Sequence, residues 1–412
     1  MNDVCASAGL LTLDAALKQL MNEIQPLKTT EKLFFSEGLG RILAADTVSP
    51  IDVPGYDNSA MDGYALRLKD LDTTDCLPVV GKAFAGHPFS GKLPESSCIR
   101  IMTGACVPEG ADTVIMQEQT EVIEKGIHFL QKPGKLGANV RFRGEGMQEG
   151  EQVFRKGHRL SPQDIGLLAS LGISEIDVFS KLKVAIFSTG DELVLPGEPL
   201  KVGEVYDSNR FVVQAMLQKL PVDIIDFGRI PDNPKLLRQT FINADEQADV
   251  VISSGGVSVG EADYTRHILE SLGKTVFWKL AIKPGKPFAF GHLPHSYFFG
   301  LPGNPVSATV TFHQLVAPAL RHMMNNRYHT LKEMPAICTE TLKKSPGRKE
   351  FQRGVWVINE KGMIEVSSSG SQGSGILRSM NVANCYIVLP ENQGKVEAGE
   401  KVTIQLFDDI LQ

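Results

Sequence analysis

The stretch DVVISSGGVSVGEADYTRHILESL, residues 249–272, has the pattern of a strand, a turn and a helix. Residues 249–254 contain the apolar run 250–252 followed by two serines, as in a buried strand, and residues 262–272 have the spacing of a helix. Glycines fill the turn between them, and such turns usually receive phosphate because a bare backbone lets N–H groups approach an anion. This turn also carries Glu261 and Asp263, whose carboxylates would repel a phosphate.

The same alternation of strand and helix extends in both directions from this stretch. Buried-type strands are predicted at 183–189, 222–230, 249–254, 275–282, 287–293 and 297–301. Helices are predicted at 206–220, 234–247, 262–272 and 304–324. Alternation of this kind predicts an α/β domain with a doubly wound, mainly parallel sheet.

The flanking regions have a different pattern. From about residue 48 to 142, short strands and turns indicate a mostly β unit, and after about 331 they indicate a small β-barrel or sandwich. Further helices are predicted over 12–24, 36–46 and 161–172. The chain is therefore expected to be multidomain, which agrees with its 412 residues.

Bulk composition excludes several classes of protein. A net charge of −6 argues against a nucleic-acid or membrane-surface partner. The first residues lack the basic segment of a signal peptide, and no apolar run is long enough to span a membrane. Scattered cysteines without a CxxC pair favour free thiols in a reducing cytoplasm, and the absence of HExxH or HxH makes zinc improbable.

Five loops rich in glycine, proline, acidic residues and lysine follow the predicted strands of the α/β domain. They are STGDEL (188–193), PDNP (231–234), SSGGVSVGEAD (253–263), KPGKP (283–287) and LPGNPVS (301–307). Each alone is an ordinary turn, but in an open parallel sheet ligands bind beyond the carboxyl ends of the strands. Their shared position favours a ligand site at that edge.

The charges in these loops predict a metal–phosphate site. The acids are Asp191, Glu192, Asp232, Glu261 and Asp263. With Mg²⁺ between carboxylates and phosphates, acids and a phosphate loop are compatible, because Mg²⁺ takes one or two carboxylates plus phosphate oxygens. Lys279, Lys283 and Lys286 supply donors for a second oxyanion. The expected ligand is a phosphorylated organic molecule with a metal and a second anion.

Several motifs together resemble those of the molybdopterin molybdenumtransferases, the MoeA family, which includes the gephyrin E domain. The motifs are DVPGYDNSAMDGYA (52–65), IRIMTGACVPEGADTVI (99–115), STGDEL (188–193), VISSGGVSVGEADY (251–264), KLAIKPGKPFAFG (279–291), GLPGNPVSATVTF (300–312) and FQRG (351–354). The resemblance runs essentially from end to end.

The resemblance implies four domains and a homodimer. It divides the chain into a partly helical linker and dimerisation domain (1–47 and 143–180), an inserted β domain (48–142), a molybdopterin-binding α/β domain (181–330) and a C-terminal β domain (331–412). It implies Mg²⁺-dependent insertion of molybdenum from molybdate into adenylylated molybdopterin, with release of AMP. It also suggests the adenylyltransferase and cofactor-delivery proteins as partners.

The resemblance assigns roles to individual residues. It implies catalytic roles for Asp62, Glu192, Asp232 and Asp263, the last three also as metal ligands. Substrate-binding positions are Thr103, Arg141, Ser254, Gly255, Gly256, Lys279, Lys283, Lys286, Asn304 and Ser307. A molybdate site is implied at Lys283, Lys286, Arg353 and Ser374. Asp62 and Thr103 would complete the pocket of the partner subunit.

One position departs from the family pattern, and two rival functions stay open. The family often has RGED where this chain has Gly146 after Glu145, so a carboxylate is missing there. The α/β domain also resembles that of molybdopterin adenylyltransferases, and members of the family serve as scaffolds for other proteins. The flanking β domains favour a molybdenumtransferase over an adenylyltransferase. Retention of the other loop acids and lysines favours an enzyme over a scaffold.

Overall fold

The centre of the molecule is a six-stranded sheet. The computed structural model describes residues 10–256, 264–326 and 331–412. In spatial order the strands are Val222–Ile230, Leu182–Thr189, Val250–Ser254, Tyr297–Leu301, Pro287–His292 and Lys274–Lys279. The first four run parallel, and Pro287–His292 is antiparallel to both of its neighbours. The predicted doubly wound, mainly parallel sheet is confirmed.

Helices cover both faces of this sheet. Val184 and Ile186 face a core shared with the helices Leu13–Glu23, Asn209–Leu217, Pro305–Thr311 and Ala317–Met323. Ala185 and Phe187 face the opposite core, formed with the helices Pro234–Gln247 and Tyr264–Leu272. Neighbouring strand residues point to opposite faces, so an uninterrupted apolar strand requires a cover on each side.

Two helix predictions need correction. The helix expected over 304–324 is interrupted by a π-helical turn at Phe312–Val316. The helix expected over 36–46 is wrong, since helical structure there is limited to the 3₁₀ turn Phe35–Gly38. The following backbone pairs instead with distant segments, as Leu43 N–H donates to the His158 carbonyl at 3.0 Å. Tertiary pairing therefore overrides the local apolar spacing.

The chain segments before and after the inserted β region meet in a small linker unit. Strand Thr30–Phe34 pairs antiparallel with Glu175–Phe179, and Thr47–Val48 pairs with Gln152–Phe154. Helix Pro162–Ser170 begins with a capping box between Ser161 and Asp164. The helix Leu13–Glu23, by contrast, buries Leu13, Ala16 and Leu20 against the core of the α/β sheet.

The inserted region contains two small sheets and a short ribbon. The four-stranded sheet consists of Val79–Ala83, Cys98–Ile101, Gly63–Leu66 and Thr113–Met116. The three-stranded sheet consists of Cys76–Leu77, Gly126–Phe129 and Thr120–Ile123. The ribbon pairs Asn58–Ser59 with Val140–Arg141, and 3₁₀ turns lie at Leu68–Asp72 and Gln117–Gln119.

The C-terminal region is a barrel that closes on itself. Its strands are, in order, Lys349–Ile358, Ile364–Ser368, Glu333–Cys338, Lys401–Leu406 and Cys385–Leu389, and the last pairs back with the first. A helix lies at Arg378–Val382. The short strand Ile282–Lys283, which belongs to the α/β region by sequence, pairs in parallel with the start of Lys349–Ile358. This pairing brings the KPGKP loop to the barrel.

Two further expectations concern the whole chain. Across the three described segments, no helix combines the length and apolar character needed to cross a lipid bilayer. The thiols of Cys76, Cys98, Cys106, Cys338 and Cys385 are free, as predicted for these positions.

Candidate functional site

A polar cavity of about 790 Å³ opens at the carboxyl ends of the parallel strands. We call it the sheet-edge cavity. All five predicted loops contribute residues to its wall: Thr189, Gly190, Glu192, Asp232, Ser254, Gly255, Gly256, Pro287, Asn304 and Ser307. Parallel strands bring these loops together because all their carboxyl ends meet at one edge.

The acids of this cavity have different surroundings. Asp232 and Glu192 line the wall. Thr189 Oγ1 donates to Asp232 Oδ1 at 2.7 Å, which fixes the orientation of that carboxylate. Asp191 Oδ1 instead accepts the backbone N–H of Asp232 at 3.0 Å, so Asp191 supports the neighbouring loop. Predicted Asp263, like Glu261, lies outside the described residues.

Two glycines allow the loop after Val250–Ser254 to pass close to its neighbours. Gly255 has φ +89°, and a Cβ there would lie 2.4 Å from the Thr189 carbonyl oxygen. Gly256 has φ +67°, and a Cβ would lie 2.4 Å from Thr265 Oγ1. Both the left-handed backbone and the lack of space require glycine, which leaves backbone exposed at the wall of the cavity.

The start of the helix Pro305–Thr311 also lines the cavity. Asn304 precedes it without a side-chain capping bond, and Pro305 occupies its first turn. The Val306 N–H donates to the Ser374 carbonyl at 3.0 Å, which ties this helix to the C-terminal region. Asn209 Nδ2 donates to the Gly303 carbonyl at 2.7 Å and holds the loop before the helix.

Sequence reasoning missed the segment Asp207–Ser208–Asn209, which also lines the sheet-edge cavity. Asp207 is 1% exposed and accepts from Ser188 Oγ at 2.6 Å and from Arg210 Nε at 2.9 Å. The helix predicted over 206–220 includes this segment, whereas the helix in the structure starts at Asn209. A run of Asp, Ser and Asn before an apolar helix is a cap signal that could have revealed the loop.

A second cavity, of about 560 Å³, lies where the KPGKP loop meets the barrel. We call it the barrel cavity. Its polar wall consists of Lys283, Glu340, Thr341, Lys343, Glu350, Gln352, Arg353, Ser368, Ser371 and Gln372. Lys283 Nζ lies 3.0 Å from Glu350 Oε1. The strand pairing between Ile282–Lys283 and the barrel is what places this lysine near Arg353.

Arg353 is 1% exposed and has polar partners from the C-terminal loop and helix. Its Nε donates to Ser379 Oγ at 3.1 Å, and its Nη2 donates to the Gly373 carbonyl at 3.3 Å. Burial lowers the pKa of the guanidinium, and Tyr386 and Glu350 oppose this shift. A surface ion pair, the plain alternative for this residue, does not describe its surroundings.

Other predicted residues lie elsewhere. Lys279 lines a separate cavity of about 490 Å³ together with Leu10 and Phe277. Lys286 is exposed. Ser374 contributes its carbonyl to Val306, and within the described residues Ser371 and not Ser374 lines the barrel cavity.

Asp62 and Thr103 form a pair in the inserted β region. Asp62 Oδ1 accepts the Thr103 N–H and the Thr103 hydroxyl, each at 2.7 Å. The Thr103 N–H has the larger effect and the Thr103 hydroxyl the smaller, and together they hold the pKa of Asp62 below its usual range. Arg141 is exposed on the ribbon strand opposite Asn58. In the described structure these residues line neither cavity of their own chain.

The glycine at 146 lies in a turn that crosses back over Val53. Its N–H donates to the Val53 carbonyl at 3.0 Å, and a Cβ would lie 3.1 Å from that oxygen. Glu145 Oε2 accepts the Phe142 N–H at 2.9 Å, so this carboxylate stabilises the turn in which it lies. Glu145 therefore does not occupy the place of a side chain at 146.

The sheet-edge cavity fits the ligand preference of Mg²⁺. Within the described residues, no group of three or more His, Cys, Asp or Glu side chains could hold a metal by itself. Glu192 and Asp232 are two carboxylates on one cavity wall. Mg²⁺ is usually bound by one or two carboxylates together with substrate phosphates and water, so a complete protein cage is not required.

Comparisons with known proteins match the chain along its length. Residues 11–172 match the family model described as MoeA N-terminal region (domain I and II). Residues 185–322 match the probable molybdopterin binding domain, and 335–407 match the MoeA C-terminal region (domain IV).

Individual relatives agree with these matches. The chain is 50% identical to a molybdopterin molybdenumtransferase of Haemophilus influenzae, covering 98% of this chain and 100% of that protein. It is 30% identical to gephyrin of Dictyostelium discoideum, covering 98% of this chain and 63% of gephyrin. A crystal structure of the molybdopterin biosynthesis moeA protein from Pyrococcus horikoshii is similar with a TM-score of 0.82 and 31% identity, covering 97% of this chain and 100% of that one. The chain therefore belongs to the MoeA family and is an enzyme of the molybdopterin molybdenumtransferase class.

Proposed function

We propose that this protein inserts molybdenum from molybdate into adenylylated molybdopterin in a Mg²⁺-dependent reaction that releases AMP. The observation that carries the proposal is one loop with contacts to two polar cavities. Ser371 and Gln372 line the barrel cavity, whereas Gly375 lines the sheet-edge cavity. A substrate with a nucleotide at one end and a metal-accepting group at the other needs two such neighbouring sites.

The sheet-edge cavity is assigned to the nucleotide and its phosphates. The backbone at Gly256 and the first turn of the helix Pro305–Thr311, which includes Ser307, would receive phosphate oxygens. Glu192 and Asp232 would hold Mg²⁺, and Thr189 keeps the Asp232 carboxylate oriented for it. Bound Mg²⁺ would neutralise charge on the phosphoanhydride that separates AMP from molybdopterin.

The barrel cavity is assigned to molybdate. Lys283 provides an ammonium donor, and Arg353 provides a guanidinium whose direction is fixed by its bonds to Ser379 and Gly373. Both groups line one cavity, and charged N–H donors of this kind bind oxyanions strongly. Ser371 adds a hydroxyl to the same wall.

The assembly and the domain boundaries are also proposals. We infer a cytoplasmic homodimer in which Asp62 and Thr103 complete the site of the partner subunit. The proposed division is 1–47 with 143–180, then 48–142, 181–330 and 331–412. Pairing of Thr30–Phe34 with Glu175–Phe179 supports the split first domain. Adenylyltransferase and cofactor-delivery proteins are the proposed protein partners.

The test is a reaction with purified protein. Given adenylylated molybdopterin, Mg²⁺ and molybdate, it should release AMP and yield a cofactor that activates an apo molybdoenzyme. Glu192→Gln should slow AMP release by roughly 10²-fold or more, because a charge-positioning group is lost from a phosphoryl site. Glu198→Gln is the matched control, since Glu198 lies in the same region but outside the cavity wall.

Three outcomes would contradict the proposal. Full AMP release in the presence of EDTA would show that the reaction does not require Mg²⁺. Formation of adenylylated molybdopterin from ATP and molybdopterin, without later AMP release, would identify an adenylyltransferase. Binding of both substrates without turnover by the wild-type protein would indicate a scaffold.

A further inference from the structure

Glu350 is a buried acid in the wall of the barrel cavity. It is 3% exposed, whereas the second acid in that wall, Glu340, is exposed and accepts the Ser368 N–H at 2.6 Å. Glu350 Oε1 accepts from Lys283 Nζ at 3.0 Å, and Oε2 accepts from Gln352 Nε2 at 3.0 Å. Both oxygens of this carboxylate are thus held.

Strand register explains the contact with Lys283. Residues 283 and 350 are direct partners in the parallel pairing of Ile282–Lys283 with Lys349–Ile358. Direct partners on neighbouring strands project their side chains to the same face. Gln352 also donates to the Lys343 carbonyl at 2.9 Å, so the carboxylate is braced from the barrel side.

Glu350 lies among positive charges that are themselves buried. Arg353 and Lys344 are 1% and 8% exposed. Burial lowers the pKa of Lys344, and Glu350 opposes that shift. A buried cation needs a compensating charge, and the carboxylate supplies it while the cavity contains no anion. The same negative charge repels any anion that enters.

We propose that Glu350 is a positioning residue and an internal counter-ion of the oxyanion site: it holds Lys283 at the cavity and keeps oxyanion affinity low enough for exchange. This inference rests on the proposed function of the barrel cavity. Lys283 has three N–H donors, so it can bind Glu350 and an oxyanion together. The anion nevertheless competes with a carboxylate for the same cations, and its affinity is reduced accordingly.

The test measures binding of molybdate to the full-length protein by equilibrium dialysis, without turnover. Glu350→Gln keeps the shape of the side chain and a hydrogen-bond acceptor for Lys283, but removes the charge. The Kd for molybdate should fall about tenfold, because one buried like charge near the anion is lost. Glu365→Gln is the control: it lies on a barrel strand, bonds to Asn359 at 2.7 Å and is outside the cavity wall, so its Kd should stay unchanged.

An unchanged or weaker affinity in folded Glu350→Gln would overturn the inference, because a purely structural residue gives no gain in binding. A double variant tests the inference if the single variant Glu350→Gln does not fold. Lys283→Met alone should weaken molybdate binding, and Lys283→Met with Glu350→Gln should recover most of the loss, since one charge of each sign is then removed. Absence of recovery would also overturn the inference.

Failure of the proposed function looks different. If wild-type protein releases AMP and uses molybdate but Glu350→Gln binds no tighter, the counter-ion role alone is wrong. If wild-type protein neither binds molybdate nor releases AMP, the assignment of the barrel cavity itself is wrong.

Discussion

At the scale of single residues, Arg353 and Asp62 show how the surroundings of a charged group define its use. Arg353 has a hydroxyl and a carbonyl as hydrogen-bond partners, which fix its plane without neutralising it. Asp62 has a backbone N–H and a hydroxyl from one residue, Thr103. Each group therefore keeps its charge, and each arrangement predicts a measurable effect.

Arg353→Lys should raise the molybdate concentration for half-maximal cofactor formation by roughly tenfold. A lysine has no planar guanidinium that could donate to both Ser379 and Gly373, so the orientation of its charge would be less well fixed. Binding of adenylylated molybdopterin should stay nearly unchanged. Exposed Arg378→Lys is the control for loss of a guanidinium from the same region. Equal weakening of both ligands in a titration would instead indicate a structural role for Arg353.

Thr103→Val should raise the pKa of Asp62 toward the usual value of an aspartate, since the hydroxyl donor is lost while the backbone donor remains. Because the pKa of Asp62 is lower in the folded state, its ionisation stabilises the fold at pH values above the unfolded-state pKa of about 4. This stabilisation is lost as the pH falls through the folded-state pKa. NMR titration of the Asp62 carboxyl carbon measures the shift. Thr120→Val, whose hydroxyl bonds to Gln117, should leave the Asp62 titration unchanged.

At the scale of elements, the turn after Val250–Ser254 shows why the proposed phosphate-binding loop needs glycine. The Gly255 N–H donates to the Leu301 carbonyl at 3.2 Å, so the turn lies against the next strand of the sheet. The Thr189 carbonyl occupies the space where a side chain would begin. The turn is thus fixed by two neighbouring strands.

Gly255→Ala should destabilise the protein by about 1–3 kcal/mol and weaken nucleotide binding, because both the backbone conformation and the space are unfavourable. Gly399→Ala separates the two causes: Gly399 also has φ +89°, but a Cβ there meets nothing within 4 Å. Urea unfolding should show the smaller loss for Gly399→Ala. Equal losses would mean that the contact with Thr189 relaxes freely.

At the scale of the whole molecule, contacts between regions build the proposed site. The strand Ile282–Lys283 joins the α/β region to the barrel. The Ser374 carbonyl joins the barrel loop to the helix Pro305–Thr311. Arg159 joins the linker unit to the C-terminal segment through Asp409 at 2.5 Å. The inserted β region contributes no residue to either cavity among the described parts of the chain.

This arrangement leads to a complementation experiment. If Asp62 and Thr103 complete the site of the partner subunit, Asp62→Ala and Lys283→Ala chains should restore activity to each other. A mixed dimer would contain one intact site, so mixtures should recover up to about a quarter to a half of wild-type activity, depending on how subunits exchange. Measured AMP release in refolded mixtures tests this. Proven heterodimers without activity would indicate sites within single chains.

The α/β architecture and most of the sheet-edge cavity can be predicted from the residue pattern. Alternating strands and helices leave few ways to bury both faces of a parallel sheet, and the carboxyl ends of its strands must then share one edge. The sequence pattern therefore places the loops containing Glu192, Asp232, Gly255 and Asn304 at the same edge. The expected helix over 36–46 was wrong because backbone pairing with distant strands outweighed local spacing.

The composition of the barrel cavity, by contrast, depends on contacts between regions that are distant in sequence. Lys279 and Lys283 are four positions apart, yet Lys279 lines another cavity, because Ile282–Lys283 leaves the sheet to pair with the barrel. Glu350 and Ser371 enter the same wall through strand pairing and loop closure across regions. Contacts between residues far apart in sequence depend on register and packing, which no local pattern of residue types specifies.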